Sequence, residues 1–164
     1  MTFPWRVWVL LLTAAATYLT AFGLQAGMAG MWWPVAGLWL AATFASVGLS
    51  VWVAICLITL GIITDLMTEA PIGAWPLALL AAYSVALVAW DRQATTGLPI
   101  MMTEAVALLG GLVAAALALG AAGSIAGQPG FARDGLVYDF VVTAALYPLV
   151  RFVLIPASVR GARR

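Results

Sequence analysis

The chain has 164 residues, 65% of them hydrophobic and 8% charged, with a net charge of +1 and a mean hydropathy of +1.11. A soluble globular domain is about 45–50% apolar and about 25% charged, so a chain this apolar needs lipid as its solvent. Basic residues cluster only at the C-terminus, which leaves nucleic acid without a surface to bind. Histidine is absent, removing the commonest general base and the commonest metal ligand. Cys56 is the only cysteine, so an intramolecular disulfide and a thiolate metal site are excluded. It lies between Ile55 and Leu57 and reads as an inert small hydrophobe facing lipid or core. No cofactor, metal or catalytic group is expected.

A bilayer core needs about 17–25 apolar helical residues per crossing. The first such run is 7–24. It follows Arg6 as a signal peptide would, but it is longer than a signal-peptide core, and Ala26-Gly-Met-Ala29 is a weak cleavage site. A retained helix is expected. From Gln25 to Thr64 there is no charge, and the stretch is too long for one helix. Pro34 suits a first turn and Ser46-Val-Gly-Leu-Ser50 a tight turn, which divides the stretch into 33–47 and 49–65. Further spans are expected at 72–90, 102–124 and 136–155, the last closed by Pro156. The fold class is therefore an all-α polytopic membrane protein, a bundle of about six transmembrane helices, in one integral membrane domain over 1–164.

Arginine placement orients the bundle. With the N-terminus inside, Arg6, Arg92, Arg160, Arg163 and Arg164 are cytoplasmic, and only Arg133, beside Asp134, is outside. Both termini are then cytoplasmic. Trp5, Trp8, Trp52 and Trp90 fall near the inner interface and Trp32, Trp33 and Trp75 near the outer one, as in an aromatic belt, with Trp39 nearer mid-span.

Ionisable groups in or beside spans are candidate sites because they are costly in lipid. Asp65 and Glu69 share a helix face if the third helix continues that far, and together they would bind a cation or proton. The favoured alternative places both in a hydrated outer loop, since Ala70-Pro71 ends a helix. Asp139, Thr143, Tyr147 and Arg151 recur every fourth residue and cover about 120° of the sixth helix, a polar stripe turned away from lipid. Arg151 either snorkels to the cytoplasmic surface or pairs with Glu104. Thr13, Thr17 and Thr20 on the first helix, and Gly110, Ala114, Ala118 and Ala122 on the fifth, mark close helix–helix contact. No nucleophile elbow or P-loop is present in the sequence.

The run Gly61-Ile-Ile-Thr-Asp65-Leu-Met-Thr-Glu-Ala-Pro71-Ile-Gly73-Ala-Trp-Pro-Leu-Ala-Leu resembles the signature of the rod shape-determining protein MreD family. That signature is a helix ending in Gly-x-x-x-Asp, a short polar turn, and a Leu/Pro-Leu-Gly start to the next apolar helix. Gly61, Asp65, Pro71 and Gly73 match it, with Ile72 in the leucine place. The end, Tyr147-Pro148-Leu-Val-Arg151-Phe-Val-Leu with a short arginine-rich tail, also resembles the family's. The sequence departs from the pattern at Ala74-Trp75, where an aromatic or His often follows the Gly, and at an inner loop carrying Arg92 alone.

In physical terms, Gly61 admits a neighbouring backbone, Asp65 can accept hydrogen bonds from N–H groups opening the fourth helix, and Pro71 and Gly73 shape the turn. Asp65 reads as a structural clasp as readily as a binding site. The resemblance implies a non-enzymatic inner-membrane scaffold of the bacterial cell-elongation complex. Its implied partners are an MreC-like bitopic protein and, through the complex, MreB, RodA and a penicillin-binding transpeptidase. It also implies a fold similar to the substrate-binding subunits of energy-coupling factor transporters. That similarity supplies an alternative, a vitamin-binding subunit using Asp65, Glu69, Trp32 and Trp75. A third reading is an ion-coupled permease using Asp139 and Arg151, disfavoured because no inverted repeat is evident.

Overall fold

The computed structural model of the protein describes residues 5–25, 34–68, 70–97, 99–127 and 134–154. Among these residues the chain forms six α-helices and one 3-10 turn, with no strand. The helices are α1 (Trp5–Gln25), α2 (Ala36–Phe44, continued by the 3-10 turn Ala45–Val47), α3 (Val51–Thr68), α4 (Ala74–Thr96), α5 (Ile100–Ile125) and α6 (Asp134–Leu154). Among the described residues, three stretches are long and apolar enough to cross a membrane: Val51–Thr68, Ala74–Gln93 and Ile100–Ile125. Shorter apolar helices lie at Val7–Gly23, Ala36–Val47 and Leu136–Val150.

The organising element is the shortest helix. All nine residues of α2 are buried, and it packs against α1, α3, α4, α5 and α6. Its sequence, AGLWLAATF, is apolar all round, the pattern of a helix enclosed by others. Nine residues rise only about 14 Å, well short of the apolar thickness of a bilayer. A neighbouring helix supplies hydrogen bonds to the chain just outside each end of α2. At its start, the Val35 N–H donates to Thr143 Oγ1 on α6 at 2.8 Å, and the Leu38 N–H returns to the Val35 carbonyl at 3.0 Å. Beyond its end, the Tyr83 hydroxyl on α4 donates to the Gly48 carbonyl at 2.9 Å and accepts from the Ser50 N–H at 3.1 Å.

Around α2 the closest neighbours are α4 and α5. The face of α5 that carries Ala107, Gly111, Ala115 and Leu119 is buried, and a Cβ added at Gly111 would rest 3.4 Å from Ala82 Cβ on α4. Gly110, of the expected contact stripe, also meets α4: a Cβ added there would stand 2.9 Å from Val85 Cγ1. Gly110, Ala114, Ala118 and Ala122 are half-buried on the flank of that face. Adjacent glycines at 110 and 111 and a nearly uniform apolar sequence leave nothing in α5 to mark which small residues face α4. On α1, Thr13, Thr17 and Thr20 are half-buried and return their hydroxyl protons to the carbonyls four residues earlier, at 2.7, 2.9 and 2.9 Å. Cys56 is buried on α3.

Trp39, Trp75 and Trp90 are all core residues, while Trp52 remains exposed and Trp8 half-buried. Large aromatic rings fill the gaps left by the many Ala and Gly of neighbouring helices, which is the stronger demand at these three positions. Trp32, Trp33 and the Trp5 side chain lie outside the described residues.

Candidate functional site: a helix clasp beside a polar cavity

Helix α3 runs three residues beyond Asp65, to Thr68, so the expected hydrated loop at Asp65 is not what forms. Asp65 is 2% exposed. The turn that follows folds back along α3, and the carboxylate is consumed by it: Oδ2 accepts from the Gly73 N–H at 2.6 Å and Oδ1 from the Trp75 N–H at 2.9 Å. Glu69, its expected companion, lies outside the described residues.

The first N–H groups of a helix have no partner within it and must be satisfied from elsewhere. At the start of α4 every one is accounted for. Gly73 and Trp75 donate to Asp65, Ala74 donates to the Pro71 carbonyl at 3.0 Å, and Pro76 has no N–H. The regular helix pattern then begins with the Leu77 N–H on the Gly73 carbonyl at 3.1 Å. Asp65 is thus an N-cap contributed by the preceding helix, and a carboxylate there also meets the positive end of the α4 dipole. Gly73, the residue before α4, has φ +95, a left-handed conformation that a side chain strains. Gly61, one turn before Asp65, lies against the same first turn. A Cβ there would stand 2.6 Å from Pro76 Cα and 2.8 Å from Pro76 Cδ, so only hydrogen allows the two helices to approach. Gly61, Asp65, Pro71 and Gly73 are therefore brought together, with Pro71 and the fully solvent-facing Ile72 forming the outer bend.

On α6, Asp139, Thr143 and Tyr147 are all buried, and they face α2 through Thr143. Thr143 Oγ1 donates to the Asp139 carbonyl at 2.6 Å and accepts from Val35, while its own carbonyl accepts from Trp39 Nε1 at 2.7 Å. Pro148, one turn on, denies its helix an N–H for the Ala144 carbonyl, which loosens the ladder beside this contact. Trp39 supplies a cross-helix donor at the neighbouring carbonyl. Its apolar surroundings in the sequence give no sign of that role. Arg151 lies in α6, with its side chain outside the described residues; Glu104, its candidate partner, is buried on α5.

The clasp and the α6 stripe meet at a cavity of about 70 Å³. Thr20 of α1, Gly37 of α2, Thr64 and Thr68 of α3, Trp75 of α4 and Asp139 of α6 contribute to its lining. Trp75 is the residue that links the two features, since its backbone N–H is held by Asp65 and it contributes to the cavity lining. Among the described residues, no group of three or more His, Cys, Asp or Glu has a metal-binding arrangement. No family model matches the chain, and neither a curated protein nor a solved structure matches it.

Proposed function

We propose that this protein is a non-enzymatic scaffold of the MreD type in the bacterial cytoplasmic membrane. It would work in the cell-elongation complex, linking the cytoplasmic actin-like filament to peptidoglycan synthesis. One observation carries the reading. The motif carboxylate, Asp65, is buried and fully used in building the α3–α4 turn, so the motif's chemistry is architectural. What it offers to the outside is a rigid bend topped by Ile72, which is 88% exposed. A partner helix or loop can read such a bend by shape and apolar contact without any reacting group.

In this reading the chain crosses the membrane six times, the second crossing made by α2 together with the residues that flank it, both termini are cytoplasmic, and the α3–α4 bend faces the periplasm. The bend then meets the membrane-proximal part of an MreC-like bitopic protein, with MreB, RodA and a penicillin-binding transpeptidase held in the same complex. The transporter alternative asks for more space than the cavity beside the clasp provides, although a larger hollow of about 750 Å³ lies at the other end of α4, between the turn after α2 and Leu87, Trp90 and Ile100. Pockets for drug-sized ligands occupy about 300–1,000 Å³, against about 70 Å³ beside the clasp.

The test is co-purification. The chain is tagged at its C-terminus, extracted in mild detergent, and its companions identified by mass spectrometry. A bitopic coiled-coil protein with wall-synthesis enzymes is the expected set. Recovery of an ATPase pair with a transmembrane coupling subunit would overturn the scaffold reading.

A further inference from the structure

The hollow of about 750 Å³ lies at the end of α4 away from the clasp, where the turn after α2 meets the last turns of α4 and the first residue of α5. Its walls include Val47, Leu49, Leu87, Val88 and Ile100. These side chains carry no polar atom, so they present hydrocarbon whichever of their atoms meets the hollow. Val47, Leu49, Val88 and Ile100 are all exposed. The backbone of the turn is already engaged at Gly48, whose carbonyl accepts from Tyr83 and whose N–H donates to the Ala45 carbonyl. At a membrane surface an apolar wall of this kind is covered by acyl chains.

The lip of the hollow is charged. Asp91 contributes to the lining, and Arg92 follows it in α4. Both are exposed, and neither side chain makes a hydrogen bond or ion pair among the described residues. Successive residues of a helix do not face one another, so the two charges leave each other unpaired. A simple anion or cation matches only one of them. A zwitterionic headgroup carries both signs, on the same molecule as acyl chains that suit the wall. A partner helix would cover the wall as well, but opposite charges side by side at the lip favour a headgroup that joins both signs. To hydrogen-bond a carboxylate the cation must bear N–H groups. The quaternary ammonium of phosphatidylcholine has none, and phosphatidylglycerol has no cation. We propose that this hollow is a binding site for a phosphatidylethanolamine lipid, with its ammonium on Asp91, its phosphate on Arg92 and an acyl chain along Val47, Leu49, Val88 and Ile100. The proposal rests on the chain lying in a bilayer and is independent of the complex it serves.

The experiment lets three headgroups compete. The full chain is reconstituted into nanodiscs holding equal parts of phosphatidylethanolamine, phosphatidylcholine and phosphatidylglycerol with identical acyl chains. Native mass spectrometry then identifies the lipids that stay bound as the disc is stripped away. The expected result is one phosphatidylethanolamine held about threefold more often than phosphatidylcholine, the effect of an exposed ion pair. Asp91→Asn, a substitution at an exposed position, should make the two equal. Val88→Trp puts a large ring at the wall and should reduce the retained phosphatidylethanolamine. Val113→Trp, on an exposed position of α5 outside the lining, should leave it unchanged. Equal retention of phosphatidylethanolamine and phosphatidylcholine by the wild type, a preference for phosphatidylglycerol, or a phosphatidylethanolamine preference that survives Asp91→Asn would overturn the proposal and leave the wall to a partner helix or to bulk lipid. So would equal losses in Val88→Trp and Val113→Trp. A chain that does not enter nanodiscs would overturn the membrane reading itself, and the proposal with it.

Discussion

Asp65→Ala removes the one side chain that satisfies two N–H groups at the start of α4. Among the described residues of the turn, the Pro71 carbonyl is already taken by Ala74, and the Trp75 N–H is buried. Hydrogen bonds to a charged acceptor contribute about 1.5–3 kcal/mol each, and an abandoned buried donor costs a similar amount. The lower figure applied to both bonds gives a loss of about 3 kcal/mol. For a chain of this length that is a fall in Tm of roughly 6–12 °C. The protein carries its own reporter, since Cys56 is the only cysteine and is buried on α3. A thiol-reactive fluorogenic dye in mild detergent will read its exposure on heating. Asp65→Asn keeps one acceptor oxygen and turns an amide donor toward the other N–H, so its loss should fall between wild type and Asp65→Ala. An Asp65→Ala midpoint within about 2 °C of wild type would mean that the clasp does not hold α3 to α4.

Other substitutions test the same framework. Gly61→Ala would force a methyl into the Pro76 backbone, and should lower stability by about 1–3 kcal/mol or prevent folding, read with the Cys56 dye. Gly120→Ala is its control: nothing lies within 4 Å of the added methyl, so helix propensity alone should stabilise by up to about 1 kcal/mol. Thr143→Val strands the Val35 N–H and should cost about 1–3 kcal/mol, whereas Thr143→Ser, which keeps the hydroxyl, should restore most of it. Tyr83→Phe removes the hydroxyl that joins Gly48 to Ser50, and should speed amide exchange at Ser50 with little change elsewhere, as hydrogen-exchange mass spectrometry would show.

What the sequence disclosed and what it hid divide along a physical line. The clasp was legible because its parts lie within fifteen residues and each has a distinctive role: a glycine where backbones touch, a carboxylate beside bare N–H groups, a proline and a glycine in the bend. The depth of Asp65 was not, because a proline soon after it reads as the end of a helix, whereas the chain completes another turn before Ala70. Apolar runs marked most of the helices, and Pro34 and Gly48 bracket α2. Hydropathy fails next at orientation within the bundle. A residue facing lipid and one facing another helix are equally apolar, so the burial of Trp75 and Trp90, and the contact of Gly111 with α4 beside that of Gly110, had no compositional mark. The full enclosure of α2 had a weak one, since a helix apolar on every side belongs at the centre. The cavity was hidden because Thr20, Thr64, Trp75 and Asp139 come from four helices and converge only in three dimensions.

The central claim is that the clasp shapes the α3–α4 bend as a contact surface for a bitopic partner. Ile72 is the place to test it, being the most outward residue of that bend. Replacing Ile72 with photoreactive p-benzoylphenylalanine, irradiating intact cells and identifying the adduct by mass spectrometry reads the contact where it forms. The account predicts an adduct with an MreC-like bitopic protein that disappears when Asp65→Ala is added and the bend loses its cap. An adduct with a transporter's coupling subunit, or a bitopic adduct that persists undiminished in Asp65→Ala, would contradict it.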